Sequence, residues 1–158
     1  MDKLIRAMGE QYQDYLSDEN PVAGRAQSIS FPADARQVRQ VINTMVKRKV
    51  PITVQGGRTG ISSGCMPIKG HILNMTRMNR ILSGIRPQGD GGVLTVQPGV
   101  TLNDLERYLS STPYFWPPDP TQTCATIGGI AANNAKGPGS YFFGELSRHI
   151  RQIRVLDI

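Results

Sequence analysis

A chain of 158 residues with 39% hydrophobic residues is long enough to close one domain around a real core and too apolar for disorder. Its 17 glycines and 11 prolines favour a loop-rich mixed α and β domain over a helical bundle. The net charge of +6 suits an anionic dinucleotide but not a nucleic-acid module, because Lys and Arg are scattered and the densest cluster, Lys47-Arg48-Lys49, sits at a helix end where it complements the dipole.

In chain order, Leu4, Ile5, Met8, Tyr12, Tyr15 and Leu16 share one helical face, which predicts an amphipathic helical extension over residues 1–22 ending near Asp18 to Pro21. A strand is expected over 28–31. Asp34 with Gln37 three residues on then opens a helix that buries Val38, Val41, Ile42, Met45 and Val46 and stops before Pro51. Strands over 52–55 and 72–75 complete a small parallel βαβ lobe spanning about 23–80. From about residue 81 a second lobe begins, with 81–85 and 93–97 pairing as a hairpin across Gly89-Asp90-Gly91-Gly92. Thr101 with Asp104 opens a helix whose Leu102, Leu105 and Leu109 face inward. Small residues over 125–135 permit close backbone approach to a flat ligand. The last segment, 150–158, carries Ile150, Ile153, Val155, Leu156 and Ile158 and reads as a strand with no neighbour. Such an edge predicts either a homodimer through that strand or a frayed tail.

Two stretches carry chemistry. Gln55-Gly56-Gly57-Arg58-Thr59-Gly60-Ile61-Ser62-Ser63-Gly64 follows directly on a short apolar strand. Glycine permits positive φ and close approach, so successive N–H groups can converge on a phosphate, with Arg58 and the hydroxyls adding charge and donors. The run has neither the GK[ST] ending of a P-loop nor the GxGxxG register of a Rossmann site. The alternative is a flexible surface turn. Downstream, Trp116-Pro117-Pro118-Asp119-Pro120-Thr121-Gln122-Thr123-Cys124 is a stiff segment leading into Ala125-Thr126-Ile127-Gly128-Gly129 and Asn133-Asn134-Ala135-Lys136-Gly137.

Together these stretches resemble the FAD-linked oxidases of the vanillyl-alcohol oxidase superfamily, with a PCMH-type FAD-binding domain, and within it the glycolate oxidase and D-lactate dehydrogenase branch. Members carry a GGxTG-type loop after a strand, then PPDP, then TIGG with N-A-x-G close behind, and all appear here in order. Ser30-Phe31-Pro32, Asn74-Met75-Thr76-Arg77-Met78-Asn79-Arg80-Ile81 and Val96-Gln97-Pro98-Gly99-Val100 extend the resemblance from about Tyr15 to the end of the chain.

The resemblance implies an α+β, two-lobed FAD-binding domain, here the amino-terminal part of a longer oxidase. It implies that Gly56, Gly57, Arg58, Thr59, Gly60, Ile61 and Ser62 wrap the FAD pyrophosphate. Arg58 replaces the commoner Gly and either pairs a phosphate or points to solvent. By the same resemblance Pro118, Asp119, Pro120, Thr121, Gln122, Thr123 and Cys124 run along the cofactor, the alternative being a simple turn. Thr126, Gly128, Gly129, Asn133, Asn134, Ala135, Lys136 and Gly137 lie against the flavin or its ribityl chain. Gly144 matches the family's YG glycine, although Phe143 precedes it and the tyrosine comes earlier, at Tyr141.

Cys65 and Cys124 share no CxxC spacing and no secretory-type N-terminus is visible, which points to free thiols and a cytoplasmic setting. His71 and His149 lack clustered partners, so no metal is expected. Cys65 reads as a buried small residue, not a flavin link, so FAD is expected to bind non-covalently. Trp116 either stacks on a ring or packs. No acid, base or nucleophile triad can be assembled, which fits chemistry done by a flavin and substrate residues lying beyond Ile158. The expected function is the FAD-binding portion of an oxidoreductase acting on a 2-hydroxy acid such as glycolate or D-lactate. The rival reading is a non-catalytic FAD-binding or assembly fragment.

Overall fold

A computed structural model describes residues 4–19, 23–118 and 120–156. The chain divides into two compact units, Met1–Met78 with Leu156–Ile158, and Asn79–Val155.

The first unit is built on a four-stranded sheet. Its strands are β1 (Ile5–Ala7), β2 (Ser28–Ser30), β3 (Ile52–Gln55) and β4 (His71–Asn74), in the order β1-β2-β4-β3. β2 and β3 each run parallel to β4, while β1 pairs antiparallel with β2, Ile5 opposite Ser30 and Ala7 opposite Ser28. The helix α1 (Ala35–Lys47) connects β2 to β3. Its start is fixed as the sequence predicts. Asp34 Oδ1 accepts from the Gln37 amide at 2.8 Å, and Gln37 Oε1 reaches back to the Ala33 amide at 2.9 Å. Its end is a Schellman motif in which Lys49, at φ 54°, takes the left-handed position usually held by glycine. The Lys49 amide donates to Val46 and the Val50 amide to Met45, satisfying carbonyls of the last turn.

Val38, Val41 and Met45 of α1 pack with Leu73 and Met78, and Ile5, Val50, Ile52 and Leu156 close around them. Val46, expected in this stripe, is 50% exposed, because the core-facing arc of α1 ends at Met45. The central strand β4 is buried along its whole length, including two polar residues, His71 and Asn74.

Among the described residues, the expected N-terminal amphipathic helix is not present, and residues 1–3 and 20–22 lie outside them. Ile5–Ala7 is a strand and Glu10–Leu16 a 3-10 helix. Pairing with β2 satisfies a row of backbone groups that a helix would have left the sheet edge to expose. Tyr12 and Tyr15 of the 3-10 helix instead pack on Phe31, with ring centroids 5.9 and 5.1 Å away.

In the second unit, β5 (Arg86–Gln88) and β6 (Gly91–Val93) form an antiparallel hairpin. The regular pairing lies closer to the turn than the 81–85 and 93–97 expected, since only Ile81 and Val96 bridge there, and Gly91 and Gly92 belong to β6 and not to the turn. Next come α2 (Leu102–Leu109), α3 (Ile127–Ala132), α4 (Gly139–Phe143) and a 3-10 helix, Leu146–His149. Thr101 caps α2 by accepting from the Asp104 amide, as expected. Leu105 and Leu109 pack with Val100, while Leu102 joins Ala125, Ile130 and Leu146 in a second cluster. Residues 150–156 form no strand, and residues 157 and 158 lie outside the described residues, so the expected terminal strand and the dimer edge built on it are absent over 150–156.

Candidate functional site

Each unit carries one of the two stretches singled out by sequence. In the first unit the glycine run leaves the carboxyl end of β3, beside the end of β4. Among the described residues, the backbone amides of residues 56–60 donate to no protein acceptor. Gly56, Gly57, Arg58 and Thr59 are half-buried, whereas Gly60, Ile61 and Ser62 are exposed. A Cβ built on Gly60 would meet nothing within 4 Å. The left-handed residues of this loop are Arg58 (φ 60°) and Ser63 (φ 57°); none of its glycines has positive φ. Glycine here therefore leaves room beside the backbone; it does not supply an unusual conformation.

Arg58 does not simply point to solvent. Its guanidinium Nη1 donates to the carbonyl of Asp14 and, at 3.4 Å, to that of Ser17, and its Cζ lies 4.6 Å from the centroid of the Tyr15 ring. Gln55, the last residue of β3, is 1% exposed and gives its amide to the carbonyls of Tyr15 and Cys65, both at 2.8 Å. Neither Gln55 nor Tyr15 was among the expected site residues. A polar residue closing an apolar strand just before a glycine run is the signal that would have found Gln55. Burial, with the Asp18 carboxylate as a second cause, pushes the Cys65 thiol up, which keeps it protonated.

In the second unit, Pro118 and Pro120 are buried, Thr121, Gln122, Thr123 and Cys124 are exposed, and Asp119 lies outside the described residues. Thr126 is buried and caps α3, its hydroxyl accepting from the Gly129 amide at 3.4 Å. Gly128 lies hard against Pro98. An added Cβ would come within 2.6 Å of the Pro98 Cβ, and the Gly128 amide already donates to the Pro98 carbonyl at 2.8 Å. The Asn133 side chain donates back to Gly129. Asn134 (φ 44°), Lys136 and Glu145 form a local hub: Lys136 Nζ is 2.8 Å and Asn134 Nδ2 3.2 Å from the Glu145 carboxylate. These two donors hold the Glu145 carboxyl below its usual range. Ala135 packs on the cluster around Leu102, Gly137 donates to the Ser140 hydroxyl, and Gly144 (φ 89°) ends α4. Trp116 packs between both apolar clusters of this unit, and its buried indole N–H has no acceptor among the described residues.

Residues 26–157 match the FAD-binding domain family. The chain belongs to that family. The FAD-binding domain is 31% identical over 157 residues to "D-lactate dehydrogenase" of Anaerostipes hadrus, spanning 98% of this chain and 32% of that protein. It is 31% identical over 129 residues to "Glycolate oxidase subunit GlcD" of Escherichia coli (strain K12), spanning 80% of this chain and 25% of that one. Among solved structures, alkyldihydroxyacetonephosphate synthase superposes with a TM-score of 0.79 at 18% identity, over 94% of this chain and 29% of that protein. The chain thus spans about a third or less of the length of these relatives, as part of an α+β FAD-binding domain. Among the described residues, no helix is long and apolar enough to cross a membrane, and no group of three or more His, Cys, Asp or Glu side chains could hold a metal ion.

Proposed function

We propose that this domain binds FAD non-covalently as part of a cytoplasmic oxidoreductase that oxidises a 2-hydroxy acid of the glycolate or D-lactate kind. One observation carries the reading. The unpartnered amides of residues 56–60, at the carboxyl end of a parallel strand and beside open space at Gly60, have the donors and the room that a pyrophosphate needs. Thr59 and Ser62 add hydroxyl donors. In the second unit, Pro118, Asp119, Pro120, Thr121, Gln122, Thr123 and Cys124 line the cofactor's length. Thr126, Gly128, Gly129, Asn133, Asn134, Ala135, Lys136, Gly137 and Gly144 supply backbone and small side chains against its flavin end. A protonated Cys65 is a poor nucleophile, which favours reversible binding. The bound flavin supplies the hydride acceptor, and the rest of the protein supplies the substrate contacts. The 2-hydroxy acid is favoured by the D-lactate dehydrogenase and glycolate oxidase named among the relatives. A homodimer is not part of the proposal.

Calorimetric titration of the purified chain with FAD, alongside Gly60→Val, tests the reading. The parent should bind. The variant should unfold at the same temperature but bind at least tenfold more weakly, because its side chain enters the open space beside the free amides. Equal affinity would remove the loop from the site. The full-length protein should reduce a dye acceptor with D-lactate or glycolate while this chain alone does not, and a flavin left oxidised by both acids would exclude the substrate class.

A further inference from the structure

The glycine run is held in shape by a part of the chain some 40 residues away. Arg58 reaches the carbonyls of Asp14 and Ser17 and lies over the Tyr15 ring, while Gln55, three residues earlier, donates to the Tyr15 carbonyl. Gln55 also ties down Cys65, beyond the far side of the loop. The segment that receives these contacts is itself anchored. The Tyr15 ring packs edge-on against Phe31 at 5.1 Å, and the Tyr12 hydroxyl accepts from Arg6 of β1 at 2.9 Å. A planar guanidinium that stacks on a ring and donates to carbonyls is well suited to hold two backbone segments together.

We infer that Arg58 is a positioning residue: it clasps the loop to the 3-10 helix Glu10–Leu16 and its C-cap Ser17, and thereby presents the amides of residues 56–60 to the pyrophosphate without touching it. This rests on the proposed role of the loop in binding FAD. It predicts that Arg58 and Tyr15 act as a unit, and that the positive charge as such contributes little to affinity.

Three variants of the whole chain decide it. Arg58→Gly keeps the left-handed backbone without its side chain, Arg58→Lys keeps the charge without the planar fork, and Tyr15→Ala removes the ring. Each should weaken FAD binding by about tenfold, and Arg58→Gly combined with Tyr15→Ala should do no worse than either alone, the mark of shared partners. The salt dependence of FAD affinity should match the parent's in all of them. In the absence of FAD, thermolysin should cut before Ile61, which is 81% exposed, several-fold faster in every variant than in the parent. If Arg58→Lys binds like the parent, or if Arg58→Gly flattens the salt dependence while Tyr15→Ala has no effect, Arg58 pairs a phosphate and the inference is overturned. If the parent does not bind FAD, the loop's proposed role fails and the positioning of amides for pyrophosphate fails with it. The cleavage rates then still report whether Arg58 and Tyr15 clasp the loop.

Discussion

The two units use glycine for opposite purposes. In the first, Gly60 stands in open space, and the loop's shape comes from buried or half-buried polar side chains, Gln55 beneath it and Arg58 within it. In the second, Gly128 and Gly139 are pressed against Pro98 and Pro117, so that a single added methyl would overlap backbone. Glycine enrichment in a sequence therefore does not by itself mark where a ligand approaches; at Gly60 it leaves open space, whereas at Gly128 and Gly139 it lets the chain pack on itself.

The largest effect expected from this contrast is acid sensitivity of the first unit, whose sheet buries polar groups. His71 is fully buried on β4, with the Ser28 hydroxyl on Nδ1 at 2.8 Å and the Ser30 hydroxyl on Nε2 at 2.9 Å. Burial pushes its pKa down from 6.5 to about 4. The unfolded chain thus takes up a proton that the folded chain refuses. The stabilising contribution is complete above pH 6.5, declines as pH falls, and is exhausted at about 4, a loss of about 3 kcal/mol. Urea titrations across that range should show the decline, and His71→Gln should flatten it. An equal decline in the variant would place the acid sensitivity elsewhere.

Next in size is Gly139→Ala. Its Cβ would run into the Pro117 carbonyl, which cannot turn aside, and the cost should be about 2 kcal/mol in chemical denaturation. Removing the cap of α2 with Thr101→Ala should cost about 1 kcal/mol, since the Asp104 amide loses its acceptor. The smallest effect should be Gly60→Ala, with stability changed by less than about 0.5 kcal/mol because the site is open and its φ ordinary. A cost at Gly60 as large as that at Gly139 would erase the distinction between the two uses.

Elements governed by local chemistry were legible in the sequence. Asp34 and Thr101 announce α1 and α2 because a cap and its amide lie three residues apart, and the apolar spacing then names the buried face. Elements governed by distant pairing were not. Leu4, Ile5 and Met8 fit a helical face, but the partner that makes Ile5–Ala7 a strand is β2, more than 20 residues on. Residues 150–156 read as a strand from apolar content, yet they form no strand, and Leu156 is half-buried where it packs against the first unit's apolar cluster. The glycine run was recognisable as a loop leaving the end of a strand, whereas the direction of the Arg58 side chain was not, because its acceptors are main-chain oxygens that carry no residue-specific signal.

Leu156 has a further consequence, for the order in which the molecule can form. Apart from it, the described residues of the first unit's apolar cluster lie no later than Met78, so Leu156, which packs against that cluster, arrives only after the whole of Asn79–Val155 has been made. At ordinary elongation rates that interval is on the order of ten seconds. During it the nascent first unit lacks the half-buried Leu156 side chain that packs on its core, and making that contact spans most of the chain's length, the kind of long-range closure that slows folding.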